Sequence, residues 1–403
     1  SWNAWGAQFE LGLVATDVLT SGATTAKSGV LIDLPRINYD ANGENGALLL
    51  EPSRQQLIQY SEYFGDSSWT KGEVTTTDNA VKSPDGYVNA AAMVENSAVT
   101  AYHRILPTSP FFATASAYYS FSVYVKKIAG QPTRHIYWMC QKGADAIYAH
   151  FDMDDFSVNE QNDSGTGSVV DADIVPVGND WYRLTLSGIV TTAGGSSYNQ
   201  LYFEDSPSTG FNPTPYTGNG SSGFEIYGWQ IEAGSYVSSY IPNHGTSGGV
   251  TRAADSCTGG GSASTFNDSE GVLYAEISTL SLSDFSERRI TLSDSINSYL
   301  RIQYGGTSGV IYLFIYINGV KVADIRKAGL DTTNQHKVAI RYGSSGYSGF
   351  VDGVLIETDA YAGNFASYPL NSLDFYDWKG NVKQLLYFNE ALSDSELATL
   401  TTL

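Results

Sequence analysis

Residues 226–242 read Ile-Tyr-Gly-Trp-Gln-Ile-Glu-Ala-Gly-Ser-Tyr-Val-Ser-Ser-Tyr-Ile-Pro, and the first half of this stretch alternates apolar with polar side chains. Such alternation is typical of a strand with one buried face, and Gly234 then ends the strand. The same order of residues occurs near the start of the chain, where Gln8, Glu10 and Gly12 correspond to Gln230, Glu232 and Gly234. The repeat predicts the closing strand of a β-sandwich in two copies, so the chain would begin at the tail of one module.

The composition indicates several β domains. A chain of 403 residues is too long for one hydrophobic core, so two or three domains are expected. The sequence contains 28 tyrosines and 41 glycines, whereas only 16% of its residues are charged. Because tyrosine favours strands and glycine favours turns, this mixture predicts an all-β protein. We expect tandem β-sandwich (jelly-roll) domains joined by linkers rich in glycine and serine.

The net charge of −20 limits the classes of partner. A surface that binds phosphate groups needs clustered lysine and arginine, so nucleic acid is not an expected partner. No apolar run is long enough to cross a bilayer, and we therefore expect no membrane insertion. The two cysteines, Cys140 in a strand-like run and Cys257 in a linker, form no disulfide framework. These features are typical of a soluble extracellular protein.

Several short motifs follow one another in the first two thirds of the chain. They are Pro35-Arg36-Ile37-Asn38-Tyr39, Gly46-Ala47-Leu48-Leu49-Leu50-Glu51-Pro52, Leu57-Ile58-Gln59-Tyr60-Ser61-Glu62-Tyr63-Phe64 with Trp69, Ser120-Phe121-Ser122-Val123-Tyr124-Val125-Lys126, and Gly178-Asn179-Asp180-Trp181-Tyr182-Arg183-Leu184. Thr251-Arg252-Ala253-Ala254-Asp255 follows the closing strand. In this order they resemble a module common in tail-fibre, head-fibre and other appendage proteins of tailed bacteriophages.

That module is similar to carbohydrate-binding jelly-roll domains. The resemblance covers most of residues 35–255 and implies one such β-sandwich at residues 35–244. Residues 1–34 would be the closing strand of a preceding module and a connector. The position before Leu57 holds Gln56, a departure from the Asn-Leu-Ile-like first strand of those domains that we expect to affect packing more than function.

The last third predicts a second sandwich at residues 270–403, after a Gly/Ser-rich linker at residues 245–269. Asn318-Gly319 and Asp352-Gly353 each separate two apolar runs, and both dipeptides supply the positive φ angles of tight hairpin turns. The order of these strands resembles the concanavalin-like or laminin-G-like sandwich. Ser393-Asp394-Ser395-Glu396 is a capping box that predicts a short C-terminal helix.

No constellation of catalytic residues is visible, so no enzymatic activity is expected. The five histidines lack the spacing of metal ligands, and there is no nucleophile elbow or phosphate-binding loop. Residues 152–155, Asp-Met-Asp-Asp, predict a turn, with a Ca²⁺ site as the alternative. Glu232 either caps a backbone group or binds a structural Ca²⁺. We expect no other cofactor.

Aromatic residues are the better candidates for a binding site. Sugars stack their C–H faces on aromatic rings, while polar neighbours bond to the hydroxyl groups. On the polar faces of the middle strands, the alternation places Tyr124, Tyr137, Arg183 and Tyr202. We predict that these four residues bind a glycan, with simple coverage of a sheet face or of a subunit interface as the alternative.

The resemblance implies a non-enzymatic fibre or adhesin on the virion surface of a tailed bacteriophage. Its partners would be host-surface polysaccharide, other virion proteins and itself, as a homotrimer. Two alternatives remain open. One is a structural capsid or tail decoration protein without sugar binding, and the other is the carbohydrate-binding portion of a secreted polysaccharide-degrading enzyme.

Overall fold

The computed structural model describes residues 36–39, 44–97, 100–108, 117–189, 198–282, 287–305, 307–361 and 363–403. The first copy of the repeated strand, at residues 8–12, and the rest of the predicted 1–34 segment lie outside these ranges. The described chain forms two compact units. Unit 1 contains the described residues from Arg54 to Arg252, and unit 2 contains those from Arg36 to Ser53 together with those from Ala253 to Leu403.

Apart from one short helix, the regular secondary structure of the described residues is all β-strand. The first strands are β1 Ile37–Asn38, β2 Ala47–Leu50, β3 Arg54–Gln56, β4 Trp69–Gly72, β5 Val74–Val81, β6 Ala90–Glu95, β7 Thr100–Ala101, β8 Arg104–Pro107, β9 Tyr118–Lys127 and β10 His135–Lys142. Next come β11 Asp145–Asp152, β12 Ser157–Ser164, β13 Ser168–Gly178, β14 Trp181–Ile189, β15 Tyr198–Glu204, β16 Tyr216–Thr217, β17 Gly223–Ala233, β18 Val250–Arg252 and β19 Cys257–Gly260. The last are β20 Gly271–Thr279, β21 Arg288–Ser293, β22 Tyr299–Gly305, β23 Thr307–Ile317, β24 Val320–Lys327, β25 His336–Tyr342, β26 Tyr347–Val351, β27 Val354–Asp359, β28 Ser372–Tyr376 and β29 Gly380–Phe388, followed by helix α1 Asp394–Thr401.

Unit 1 is a sandwich of two six-stranded antiparallel sheets. Sheet 1 has the order β12-β11-β10-β15-β8-β4, and sheet 2 has the order β13-β14-β9-β17-β6-β5. Every second residue of β9 is apolar, which gives the strand one apolar side. On that side Phe121, Val123 and Val125 are fully buried in the core between the two sheets. The tryptophan rings of Trp69 and Trp138 pack around Trp229 at the centre of this core, with centroids 5.1 and 5.5 Å away.

Unit 2 is a second antiparallel sandwich. Sheet 3 has the order β1-β2-β29-β20-β25-β26-β27, and sheet 4 has the order β19-β28-β21-β22-β23-β24. Helix α1 packs on the outer face of sheet 3, where Leu397 contacts the cluster around Val272, Tyr274 and Phe350. The predicted capping box starts this helix, since Ser393 and Glu396 bond to each other's backbone N–H groups. The expected all-β class, the sandwiches and the short C-terminal helix are therefore confirmed.

Both predicted hairpin turns are present in unit 2. Asn318 and Gly319 have φ angles of 50° and 75° between β23 and β24, and Asp352 and Gly353 have 50° and 80° between β26 and β27. These values lie in the left-handed region that a tight turn between twisted strands requires. The loop residues therefore determine the register of both hairpins.

The boundary between the two sandwiches differs from the predicted one. Residues 36–50, assigned from the sequence to the first sandwich at 35–244, belong to unit 2, because β2 pairs with β29 and Leu50 lies in the unit 2 core. Arg36 fixes this segment by donating hydrogen bonds to Glu51 and Asp255. The predicted linker at 245–269 also contains structure, since β18 pairs with β3 and β19 pairs with β28.

Two simpler expectations concern the membrane and the thiols. Within the described ranges, no helix is long and apolar enough to cross a membrane. Cys140 and Cys257 are both free thiols, so the chain contains no disulfide between them.

Candidate functional site

The four residues predicted to contact sugar lie on two different sheets of unit 1. Arg183 and Tyr124 are cross-strand neighbours on sheet 2, and the guanidinium carbon lies 5.2 Å from the ring centre. The Arg183 Nη2 atom donates hydrogen bonds of 2.8 Å to Ser122 Oγ and to the carbonyl oxygen of Ser238. Arg183 therefore covers the Tyr124 ring and ties the segment after β17 to the sheet.

Tyr137 and Tyr202 form a second pair, on the outer face of sheet 1. They lie opposite each other on β10 and β15, with ring centres 5.7 Å apart. Their side chains are 0% and 5% exposed, because Phe211 and its neighbours cover them. The Tyr137 hydroxyl donates to the backbone carbonyl of Phe211. Neither ring presents a face to solvent in this structure, and the glycan role of all four residues stays a prediction.

Residues 205–215 form the loop that covers these rings, and His150 anchors it. Nδ1 of the buried His150 ring lies 2.9 Å from Glu204 Oε2, and its Nε2 lies 2.7 Å from the carbonyl oxygen of Gly210. The Gly210 N–H donates to Glu160, and Asn159 Nδ2 donates to the Ser208 carbonyl at 2.7 Å. The loop is thus fixed from β11, β12 and β15 together.

Ser208, His150 and Glu204 have the composition of a catalytic triad but not its geometry. The Ser208 hydroxyl donates to Glu204, and it approaches the same ring nitrogen of His150 that Glu204 approaches, at 3.3 Å. The other ring nitrogen bonds to a backbone carbonyl. A triad needs the nucleophile and the orienting carboxylate on opposite nitrogens, so this group holds a loop and activates no nucleophile.

The anchoring of the loop should depend on pH. Burial alone lowers the pKa of His150, but the bonds to Glu204 and Gly210 and the charges of Glu204 and Glu160 outweigh it and raise the pKa above 6.5. A raised pKa in the folded state stabilises the loop fully at lower pH and less as the pH rises through that value. We expect hydrogen exchange in residues 205–215, corrected for intrinsic rates, to be faster at about pH 8.5 than at about pH 5.5. The His150→Gln variant should lose this difference, and an unchanged difference would contradict the account.

Residues 153–156 form the hairpin turn between β11 and β12, so three of the four residues predicted to form a turn lie in it and Asp152 ends β11. The Asp154 N–H donates to Asp152 Oδ1 at 2.8 Å, and the same oxygen lies 3.1 Å from Nδ1 of the buried His135. Ligand atoms of His135, Asp152 and Asp154 all lie within 4.8 Å of one another. Imidazole suits transition metals better than Ca²⁺, so a Ca²⁺ site here stays a prediction with only two carboxylates to support it. Glu232, the other candidate, caps a backbone group, because it accepts hydrogen bonds of 2.6 Å from the N–H and the hydroxyl of Ser238.

Two carboxyl groups, the buried Glu62 and the exposed Asp85, lie close together on the outer side of sheet 2. Glu62 accepts a hydrogen bond from Tyr240 at 3.0 Å, and Asp85 accepts one from Tyr227 at 2.8 Å. Burial raises the pKa of Glu62 to about 7, whereas the hydrogen bonds to Asp85 outweigh its burial and lower its pKa. Carboxyl pairs with divergent pKa values occur in acid–base catalysis. Here both carboxyl groups bond to tyrosine hydroxyls and to Asn89, so the pair joins neighbouring segments of unit 1.

The outer face of sheet 4 carries an array that the sequence analysis did not single out. From β28 across to β24, its three rows are Ser372, Ser293, Tyr299, Tyr316 and Lys321; Asp374, Thr291, Arg301, Phe314 and Asp324; and Tyr376, Arg289, Gln303, Tyr312 and Arg326. The alternate residues of the same strands belong to the core of unit 2. Tyr299, Tyr312, Phe314 and Tyr316 are each half-buried, so part of every ring remains in solvent. We refer to Tyr299, Arg301, Tyr312, Phe314 and Tyr316 as the aromatic face.

The rings of the aromatic face lie close together, beside positive charges. Tyr299 and Tyr316 stack with ring centres 4.7 Å apart and an interplanar angle of 20°, and Tyr312 and Phe314 stack at 5.5 Å and 27°. The Arg301 guanidinium carbon lies 4.2 Å from the centre of the Tyr299 ring. Lys321 lies 5.5 Å from the Phe314 ring, and Arg326 lies 5.3 Å from the Tyr312 ring.

Asp324 holds two of these cations in place. Nε and Nη2 of Arg326 each donate a 2.7 Å hydrogen bond to Asp324, and Lys321 donates to the same carboxylate. The bonds from Arg326 are the main reason why the pKa of Asp324 is lowered to about 2. These three side chains form one group of linked charges at the edge of the face.

The sequence contains a signal for this face. Residues 311–317 read Ile-Tyr-Leu-Phe-Ile-Tyr-Ile, so every second residue is aromatic and the others are aliphatic. A strand with this pattern buries the aliphatic residues and turns the three rings to the opposite side. Which side meets solvent depends on what packs against the sheet, and the strand alone does not contain that information.

Comparison with known proteins gives no family. No protein-family model matches the sequence, and neither does any curated protein. Among solved structures, sheep galectin-11 in a complex with glycerol is 12% identical, covering 30% of this chain and 97% of the galectin, with a TM-score of 0.23. Domains LG4-5 of the mouse laminin α1 chain are 9% identical, covering 89% of this chain and 96% of that one, with a TM-score of 0.25. At such TM-scores neither neighbour assigns a function to the chain.

Proposed function

We propose that the chain is a non-enzymatic glycan-binding protein and that the aromatic face of unit 2 holds the saccharide. The observation that carries this proposal is the group of four partly exposed rings, stacked in pairs and bordered by arginine and lysine, on one sheet face. Flat rings accept the C–H faces of pyranose units, and the adjoining guanidinium and amide groups donate to their hydroxyls.

The other tyrosine clusters support the choice of this face. Tyr137 and Tyr202 lie beneath the loop at 205–215, and a sugar would have to displace this loop before it reached either ring. Tyr124 beside Arg183 is half-buried, as Tyr299 is beside Arg301, so that pair gives no preference. The four rings of unit 2 are partly exposed as a group, and binding to a preformed surface is less costly.

The carboxylates of the same face favour binding over bond cleavage. Asp324 accepts hydrogen bonds from Arg326 and Lys321, while Asp374 accepts from the Gly259 N–H and the Ser372 hydroxyl, both at 2.7 Å. Glycosidases keep one carboxyl free to donate a proton and a second one free to attack or to activate water. Neither aspartate is free in that sense.

The motif resemblance supports an appendage of a tailed bacteriophage as the setting. In that setting the protein is a fibre or adhesin at the virion surface, and its ligand is a polysaccharide of the host envelope. Assembly as a homotrimer multiplies weak individual sites into strong attachment, because the second and third contacts become intramolecular.

The test is binding of the fluorescently labelled full chain to a panel of bacterial cells and purified surface polysaccharides. We expect saturable binding to at least one polysaccharide, with the polymer length unchanged. Phe314→Ala and Tyr299→Ala should each weaken this binding about tenfold or more, as central aromatic contacts commonly do. Tyr361→Ala is the matched control, because Tyr361 is an exposed tyrosine of unit 2 outside the aromatic face.

Each alternative gives a different result. Shortening of the polymer would indicate an enzyme. Binding that survives both ring substitutions would move the site elsewhere in the chain. Absence of binding to any cell or polysaccharide would favour the structural decoration role.

A further inference from the structure

We infer that Arg301, together with Arg289, makes the aromatic face a receptor for acidic saccharides, with the guanidinium groups binding a carboxylate or sulfate substituent of the sugar. This inference rests on the proposed function and specifies its ligand class. The balance of acidic and basic side chains on this face differs from that of the protein as a whole.

The acids around the face are already engaged. Asp324 bonds to Lys321 and Arg326, and Asp374 bonds to the Gly259 N–H and to Ser372. Arg289 Nη2 lies 2.7 Å from Glu287, which is an exposed side chain. Each of these carboxylates therefore already has a hydrogen-bond or ion-pair partner.

Arg301 is the cation that remains. Its Nε donates to Thr291 Oγ1 at 3.1 Å, and its guanidinium lies over the Tyr299 ring, but it makes no ion pair within the described ranges. Partial burial is the main reason why the pKa of Arg301 is lowered, and the nearby charge of Arg289 adds to the effect. Burial disfavours the charged form of a guanidinium group, and an anion bound beside Arg301 would offset that cost.

Arg289 lies diagonally next to Arg301. Arg289 is opposite Gln303 and Arg301 is opposite Thr291, so the two arginines occupy adjacent rows on neighbouring strands. Arg289 Nε is buried and has no hydrogen-bond partner. Its ion pair with the exposed Glu287 contributes little, and a ligand anion can replace it at small cost.

The chemistry of these groups selects planar or tetrahedral oxyanions. A guanidinium group offers parallel N–H donors that match two oxygens of a carboxylate or a sulfate. Tyr299 and Phe314 flank Arg301 and provide the surface for the sugar ring that carries the anion. A neutral sugar would use the rings and leave Arg301 without an ionic partner. In a chain with a net charge of −20, Arg301 has no ion pair within the described ranges and its neighbour Arg289 pairs only with an exposed glutamate, which favours an anionic ligand.

The experiment compares matched pairs of probes on the full chain by calorimetry and by glycan affinity electrophoresis. One pair is oligogalacturonate and its carboxyl-reduced, neutral form, and the other pair is dextran sulfate and dextran. We expect the acidic member of at least one pair to bind about tenfold or more tightly, since each charge-assisted bond commonly contributes that much. The first pair reports a carboxylate site and the second a sulfate site.

Two substitutions and one control assign the preference to Arg301. Arg301→Gln should abolish the preference for the acidic probe while binding of the neutral probe persists. Arg301→Lys should keep part of it, because the charge remains but the planar fork is lost. Lys383→Gln is the control, since Lys383 is a cation of sheet 3, outside the aromatic face, and pairs with Glu276.

The outcomes separate this inference from the function on which it rests. Equal affinity for the acidic and neutral probes, or an undiminished preference in Arg301→Gln, overturns the inference and leaves glycan binding intact. Failure of the wild-type chain to bind these four probes and every polysaccharide of the panel overturns both.

Discussion

Replacing Trp229 with alanine should lower the free energy of unfolding of unit 1 by about 3–5 kcal/mol, the range for loss of a large aromatic side chain from a packed core. Trp229 is fully buried and packs against Trp69 and Trp138. Its indole N–H donates to Asn199 Oδ1 at 2.9 Å, so the substitution also removes a hydrogen bond in the core. Denaturant-dependent hydrogen exchange of the β9 and β10 amides measures the change.

Unit 2 provides an internal control for this experiment. Exchange of the β20 and β25 amides should stay near the wild-type level in Trp229→Ala. Trp378→Ala is the reciprocal variant, because Trp378 is buried in the core of unit 2, and it should affect those amides instead. A loss below about 1 kcal/mol in unit 1, the size of an ordinary surface effect, would show that the tryptophan cluster does not hold the two sheets together.

Replacing Glu95 with glutamine should destabilise unit 1 by a similar amount, about 3–5 kcal/mol, because it leaves Arg134 buried without its counter-charge. Glu95 is 1% exposed and accepts hydrogen bonds from Nε and Nη2 of Arg134 at 2.7 and 2.8 Å. It also accepts from the Tyr216 hydroxyl at 2.6 Å and from the Asn219 N–H at 2.7 Å. Thermal unfolding and hydrogen exchange of unit 1 measure the effect.

The matched control removes both charges. The double variant Glu95→Met with Arg134→Met should recover much of the lost stability, because a well-packed apolar pair avoids the cost of an unpaired charge. If the double variant were as unstable as the sum of the two single changes, the ion pair would not be the cause.

The Glu95 carboxyl group also makes the stability of unit 1 depend on pH in the acid range. Burial raises the pKa of Glu95, but the bonds from Arg134, Tyr216 and Asn219 outweigh it and lower the pKa below 4.5. A lowered pKa in the folded state adds stability above the unfolded value, and that stability is lost as the pH falls through the folded value. The Glu95→Gln variant should therefore be less sensitive to pH than the wild type in the range below about pH 4.5.

Local patterns predicted the local features of the fold. The alternation in β9 identified its core face, the Asn-Gly and Asp-Gly dipeptides identified two hairpins, and Ser393 with Glu396 identified the start of the helix. Each of these depends on contacts within a few residues or on a fixed period. Such information is present in a single stretch of sequence.

Long-range pairing was not predictable in the same way. β2 at residues 47–50 joins β29 near the far end of the chain, and Arg36 bonds to Glu51 and Asp255. The motifs around residues 36, 51 and 255 were recognised separately, but no spacing showed that they meet. The boundary at residue 35 was therefore set too early for the first sandwich.

At the candidate site too, local patterns were predictable from the sequence and long-range contacts were not. Alternation placed Tyr137 and Tyr202 on an outer face, yet burial of these rings depends on the loop at 205–215 and on His150, Glu160 and Glu204. No pattern in β10 or β15 reveals a loop that folds back over them. The pattern of residues 311–317 was readable, but its meaning required the neighbouring strands that supply Tyr299 and Arg301.

The most direct test of the central claim is hydroxyl-radical footprinting of the full chain with and without the polysaccharide that binds best in the panel. Bound saccharide should protect Tyr299, Phe314 and Tyr316 from oxidation, while Tyr361 and the exposed Tyr198 of unit 1 remain unchanged. Unchanged oxidation of the aromatic face at saturating ligand, with protection confined to unit 1, would contradict the assignment of the binding site to unit 2.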